Sequence, residues 1–129
     1  MEVQTICIDD LLPTDTFAFR KRVDDLSAAY RANVNIRPIA VVEDLNNPGK
    51  YFIYEGHHRA RAQYEIDRTR VQAYVIRTVK DVGLYASWEG QKHDPETTWD
   101  DVMNDVMDTR TWALKNGVNL VKDMEIREQ

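Results

Sequence analysis

Short apolar blocks, each closed by a turn signal, alternate along this chain with stretches of helical period. Residues 5–8 (TICI) are mostly β-branched and are followed by two aspartates, which predicts a first strand. Residues 11–15 turn the chain, because Pro13 keeps Leu12 out of the helical region. From about residue 17 to 31, Phe19, Val23, Leu26 and Tyr30 recur at the spacing of an amphipathic helix. Residues 38–42 are an apolar run opened by a proline, as a strand start tolerates. Asn46-Asn47-Pro48-Gly49 is a turn, and residues 51–54 return as the second strand of a hairpin. The segment Glu55-Gly56-His57-His58 then breaks the strand. A short helix is predicted over 59–66, with Ala60/Tyr64 and Ala62/Ile66 at i, i+4, and another strand over 71–76. A late helix opens at Thr98, with Asp101 where a capping-box acid belongs. Trp99, Val102, Met103, Val106, Ala113 and Leu114 give it a buried side, and Asn116-Gly117 stop it. Residues 122–129 are expected to fray. With no repeat and no linker, the pattern predicts one α+β domain over 1–129, with 97–117 as a C-terminal helical extension.

Composition supports a folded chain. In 129 residues, 43% hydrophobic and 30% charged, there is material for one core and no need of a disulfide or metal to hold it. No run approaches the length of a membrane span, and MEVQTICIDD has neither the basic flank nor the apolar stretch of a signal peptide, so a cytoplasmic protein is expected. The single cysteine, Cys7, cannot form an internal disulfide. Its place between Ile6 and Ile8 predicts a buried, inert thiol. Seventeen Lys and Arg against 22 Asp and Glu leave a charge of −5, which disfavours unaided binding to duplex DNA. The charge is unevenly spread. Arg20, Lys21 and Arg22 are contiguous, Arg59, Arg61, Arg68 and Arg70 lie close together, and carboxylates collect over 89–108.

The segment that carries chemistry is 51–62, YFIYEGHHRARA. A strand ends in a carboxylate, Glu55; Gly56 follows; then His57, His58 and Arg59 stand where a helix begins. Free backbone N–H groups and the helix dipole at such a start attract anions. A glycine allows close approach of a phosphate, and His57, His58 and Arg59 add side-chain donors. The competing explanation makes the histidines turn residues and Arg59 a solvated charge. Metal ligation by the histidines is disfavoured, since neighbouring helical residues point about 100° apart and the HExxH pattern is absent.

The order strand, Leu-Pro turn, helix, Pro-Ile-x-Val strand, hairpin strand and Gly-His-His-Arg helix resembles the ParB/sulfiredoxin superfamily, over Gln4 to about Trp88. The resemblance implies a mixed sheet with flanking helices, here followed by a C-terminal helix, and a glycine-led helix start that cradles nucleotide phosphates. Sulfiredoxins carry a nucleophilic cysteine between the glycine and the histidine-arginine pair. His57 stands there in this chain, so sulfinic-acid repair has no nucleophile. Partition proteins of the ParB type carry Gly-Glu-Arg-Arg at this place, followed by a second nucleotide motif and a helix-turn-helix domain that this chain does not match.

The free-serine kinases are similar throughout Glu55-Gly56-His57-His58-Arg59, and Asp81-Val82, Tyr85 and Trp88 look alike too. That resemblance implies a nucleotide cofactor, ATP or ADP ahead of CTP, with Mg²⁺, a small hydroxyl compound as substrate, and Asp15 as catalytic base. Asp15 and Glu55 each differ by one methylene from the carboxylate usual there. Phosphoryl transfer asks for positioning, charge neutralisation and a base. Asp15 suits the base, Glu55 suits Mg²⁺ or substrate orientation, and Gly56 to Arg59 the phosphates. By residue type alone, a helix cap or an Asx turn after Pro13 is the stronger reading of Asp15 and the base the lesser. A non-catalytic nucleotide-sensing or partition-type accessory module is the alternative.

Overall fold

The computed structural model describes residues 1–128. Within them the chain forms a five-stranded mixed sheet, a two-stranded sheet and four helices. The strands are β1 (Glu2–Cys7), β2 (Leu11–Leu12), β3 (Phe17–Phe19), β4 (Ile39–Glu43), β5 (Tyr51–Glu55), β6 (Arg70–Ile76) and β7 (Glu125–Arg127). The helices are α1 (Arg20–Arg31), α2 (His57–Glu65), α3 (Val79–Trp88) and α4 (Trp99–Lys115). The large sheet runs β1-β6-β4-β5-β2, antiparallel at β1/β6 and β4/β5 and parallel at β6/β4 and β5/β2. This is the mixed sheet with flanking helices that the sequence led us to expect.

Both faces of the sheet are covered. Ile39, Val41, Ile53, Val71 and Val75 pack with Ala60 of α2 on one side. Ala40, Val42, Phe52 and Ile76 pack with Val82 and Tyr85 of α3 and Val102 and Val106 of α4 on the other. The unbroken apolar run of β4 follows from this position, since a central strand must satisfy two cores. It also makes α4 a layer of the fold rather than an appendage. Thr98 and Asp101 form the expected capping box, with backbone N–H to side-chain oxygen distances of 3.1 Å and 2.9 Å. Thr78 and Asp81 build the same device at the start of α3, a helix not foreseen from sequence.

Four expectations are corrected. The helix predicted from residue 17 begins at Arg20, because Phe17–Phe19 pairs in parallel with Glu125–Arg127. The helix predicted from Arg59 begins at His57, directly after Gly56. Cys7 is exposed rather than buried, since it ends β1 on the face opposite to buried Ile6, and the buried Ile8 that follows belongs to a short 3₁₀ turn. Finally, the segment 122–129 does not fray as far as it is described (Gln129 lies outside the described residues). Val121 and Met124 are buried, and the Arg61 guanidinium donates to the carbonyls of Val121, Lys122 and Met124 at 2.9–3.0 Å. Among the described residues no helix is long and apolar enough to cross a membrane.

Candidate functional site

The β5–α2 junction opens on a cavity of about 270 Å³ lined by Asp15, Arg22, Glu55, Gly56, His57, His58, Arg59, Glu89 and Gln91. All six residues singled out from the sequence meet here. Gly56 is the N-cap of α2, with a left-handed φ of 108° and no side-chain cap. The first backbone bond of the helix runs from the Ala60 N–H to the Gly56 carbonyl at 2.9 Å. The N–H groups of His57, His58 and Arg59 therefore precede the intrahelical ladder, as anion binding at a helix start requires.

The reason for glycine at position 56 differs from the one read in the sequence. A Cβ there would lie 2.7 Å from Ile39 Cγ2 and 2.9 Å from Ile39 Cβ. What the missing side chain admits is β4, packed against the turn. The positive φ is a second, independent requirement for glycine.

Both histidine rings turn back toward the chain before α1. His57 Nε2 accepts the Thr14 backbone N–H at 3.0 Å, and His58 Nε2 accepts that of Phe19 at 3.2 Å. Each ring therefore carries its hydrogen on Nδ1. Burial pushes the His57 pKa down to about 4, against a weaker pull upward from Asp15. Burial lowers the His58 pKa too, with the Arg22 charge adding to it. Phe19 is the N-cap of α1, and His58 accepts the Phe19 N–H that a capping-box carboxylate would take at position 22, where this chain has Arg22. Neutral rings that brace a loop contribute shape here more than charge.

That loop carries Asp15 and is held from several sides. The Thr14 hydroxyl donates to the Ile53 carbonyl at 2.7 Å, and the Glu125 N–H to the Thr16 carbonyl at 3.0 Å. Arg110, buried in α4, donates to the Pro13 carbonyl at 3.0 Å and to Val118 and Asn119. Asp15 is not a helix cap, since α1 begins after Phe19. Its Oδ1 accepts the adjacent Thr16 N–H at 2.8 Å, and the carboxylate lines the cavity.

Glu55 is exposed toward the cavity, yet crowding desolvates its carboxyl and pushes its pKa above the usual carboxylate range; Arg59 opposes this and Glu89 adds to it. Arg59 is largely committed within the fold. Its Nη1 donates to the carbonyls of Arg37 (3.0 Å) and Pro38 (3.1 Å), and its Nη2 to the Tyr85 hydroxyl (3.0 Å), with Glu89 at 3.8 Å. Of five guanidinium hydrogens, Nε–H and one on Nη2 remain for a ligand. The Tyr85 hydroxyl and, beyond it, Arg37 and Arg59 hold the Glu89 carboxyl below its ordinary range.

Sequence reasoning did not assign Arg22, Glu89 or Gln91 to the site. Arg22 has no ion-pair partner among the described residues, and its membership of the Arg20-Lys21-Arg22 run was the available signal. Three carboxylates against two guanidiniums leave the cavity short of positive charge for a polyphosphate, apart from the helix start. No group of three or more His, Cys, Asp or Glu that could hold a metal is present among the described residues. The donor set fits a Mg²⁺ that shares one carboxylate with phosphate oxygens, and does not fit an all-protein metal cage.

The sequence model of one family, described as the ParB N-terminal domain, matches residues 1–87. No curated protein matches the chain in sequence. Solved structures share its fold. Sulfiredoxin from Arabidopsis thaliana is 17% identical over 66% of this chain and 96% of its own, with a TM-score of 0.52. The C-terminally truncated chromosome-partitioning protein ParB from Caulobacter crescentus, complexed with CTP-gamma-S, is 18% identical over 88% and 75%, with a TM-score of 0.53. A free serine kinase in complex with AMP is 16% identical over 57% and 30%, with a TM-score of 0.50. This chain thus spans less than a third of that kinase's length, and likewise 30% of a C-terminally truncated SbnI from Staphylococcus aureus.

Proposed function

We propose that this chain, which belongs to the ParB N-terminal domain family, binds a nucleotide at the Gly56 turn and transfers a phosphoryl group to a small hydroxyl compound. The observation that carries the reading is the convergence of Asp15, Glu55 and the uncapped start of α2 on one cavity. The N–H groups of His57, His58 and Arg59 receive the phosphates, helped by the remaining Arg59 hydrogens and by Arg22. Asp15, on its braced loop, accepts the proton of the acceptor hydroxyl as that oxygen bonds to phosphorus and the nucleotide departs. Glu55 would hold Mg²⁺, which neutralises phosphate charge when bound; ATP or ADP is favoured over CTP. The chain's net charge of −5 argues for a small-molecule substrate over unaided duplex DNA.

One observation favours the alternative, a non-catalytic nucleotide-sensing or partition-type accessory module. The two histidines and most of Arg59 serve the fold, which leaves few groups free to act on a transition state. Two measurements separate the readings. A thermal-shift panel of ATP, ADP and CTP with Mg²⁺ tests binding, because a ligand of the folded state raises the melting temperature. Phosphate transfer to free serine and related hydroxy amino acids tests chemistry. Transfer that falls in both Asp15→Asn and Glu55→Gln, with nucleotide binding retained in Asp15→Asn, supports the kinase. Binding without transfer by the unmodified protein decides for the sensor, and the absence of any nucleotide shift refutes both.

A further inference from the structure

A second cavity, of about 370 Å³, opens beside the sheet edge, with Arg37, Arg68, Arg70, Tyr30, Gln63 and Gln72 in its wall. It shares no residue with the cavity at the α2 start. No carboxylate lines it. In a chain with five more acids than bases, three guanidiniums around one cavity without a lining acid form a local field of one sign.

The wall is ordered. The Arg68 guanidinium lies over the Tyr30 ring, 4.8 Å from its centroid, and donates to Gln63 Oε1 at 3.4 Å. Gln63 and Tyr30 are 6% and 7% exposed, and the Gln63 amide donates to the Tyr30 hydroxyl at 3.3 Å. The Tyr30 hydroxyl hydrogen has no acceptor among the described residues. Arg68 and Arg70 have no carboxylate partner among them either, whereas Arg20, Arg61, Arg77 and Arg127 each have one. Arg37 is shared, since it pairs with Glu89 at 3.1 Å.

We propose that this cavity is a second anion site, which takes a small phosphate or phosphate monoester through Arg68, Arg70 and the Tyr30 hydroxyl. The stacked Arg68 presents a pre-oriented fork to tetrahedral oxygens. Unpaired Arg70 supplies the second charge, and the Gln72 amide extends the donor set. This site does not depend on the activity proposed above.

The test is a titration of the ¹⁵N-labelled full chain with inorganic phosphate and with glycerol 3-phosphate, against chloride at matched ionic strength. Shifts should appear at the amides of Thr5, Arg70 and Gln72, saturably and with both phosphates. Arg68→Gln and Arg70→Gln should each weaken that response by about tenfold, the worth of one charge-assisted hydrogen bond. Any shifts at His57 to Ala60 report the other cavity and should be the same in both variants as in the unmodified protein. Arg70 has no side-chain partner among the described residues, so its variant carries the test should Arg68→Gln disturb Tyr30. Shifts confined to residues 57–60, an equal response to chloride, or an undiminished response in Arg70→Gln would overturn the proposal. So would a response to an oligonucleotide alone, which would make the face a nucleic-acid contact.

Discussion

Neutral His57 ties the stability of the fold to pH, and the size of the effect follows from its position. The ring is unprotonated in the folded state because burial lowers its pKa from 6.5 to about 4 and because Nε2 accepts the Thr14 N–H. Between those two values the unfolded chain binds a proton that the folded chain does not. Stability therefore rises with pH across the window and is lost as pH falls through it. At about 1.4 kcal/mol per pH unit, the drop from pH 6.5 to about 4 amounts to about 3 kcal/mol. Carboxylates titrate in part of the same range, so the measurement needs a non-titrating reference. Gln at position 57 offers an amide oxygen near the place of Nε2 and cannot take up the proton. Urea unfolding of both proteins, followed by tryptophan fluorescence between pH 4 and 8, should give a difference of stabilities that is flat above about pH 7 and shrinks or reverses by about 3 kcal/mol toward pH 4. Profiles that stay parallel throughout would show that His57 protonates freely in the fold, and the bracing role of its ring would fail with it.

Other consequences are equally direct. Gly56→Ala should cost about 2–4 kcal/mol in urea unfolding, since it adds a contact with Ile39 to a backbone strained for any residue with a side chain. Cys7→Ser should change stability by less than about 0.5 kcal/mol, and the native thiol should react at once with an aromatic disulfide reagent, because Cys7 is exposed. Arg61→Met should lower hydrogen-exchange protection in β7 by about tenfold and leave β4 unaffected, because it removes the donor to three carbonyls of the tail.

The parts of the fold that local pattern could reveal were those whose cause is local. The β4–β5 hairpin, the capped start of α4 and its glycine stop all rest on residues close together in sequence. Phe19 fell in with the helical spacing of Val23, Leu26 and Tyr30, yet it ends a strand whose partner is Glu125–Arg127; no short window holds both halves of that pair. Cys7 was legible and misread. It follows buried Ile6 in an edge strand, and the period of two places its side chain on the opposite, outer face. At the site, the strand-acid-glycine-helix pattern located the cavity. It did not reveal that the imidazoles point back to Thr14 and Phe19, because those acceptor bonds depend on where β2 and α1 lie.

The supports of the Asp15 loop come from opposite ends of synthesis. His57 and Ile53 follow soon after Asp15, but Arg110 and Glu125 emerge from the ribosome only when nearly all the described chain has been made. A nascent chain through β6 has every strand of the large sheet, with Val42, Phe52 and Ile76 still uncovered where Val102 and Val106 will pack. Segment 1–87, the part matched by the family model, is in that condition, with one sheet face bare of α4 and the Asp15 loop missing two of its anchors. Cut at that boundary, it should be sticky and slow to order its site. The natural unit for expression and for binding studies therefore includes α4 and β7.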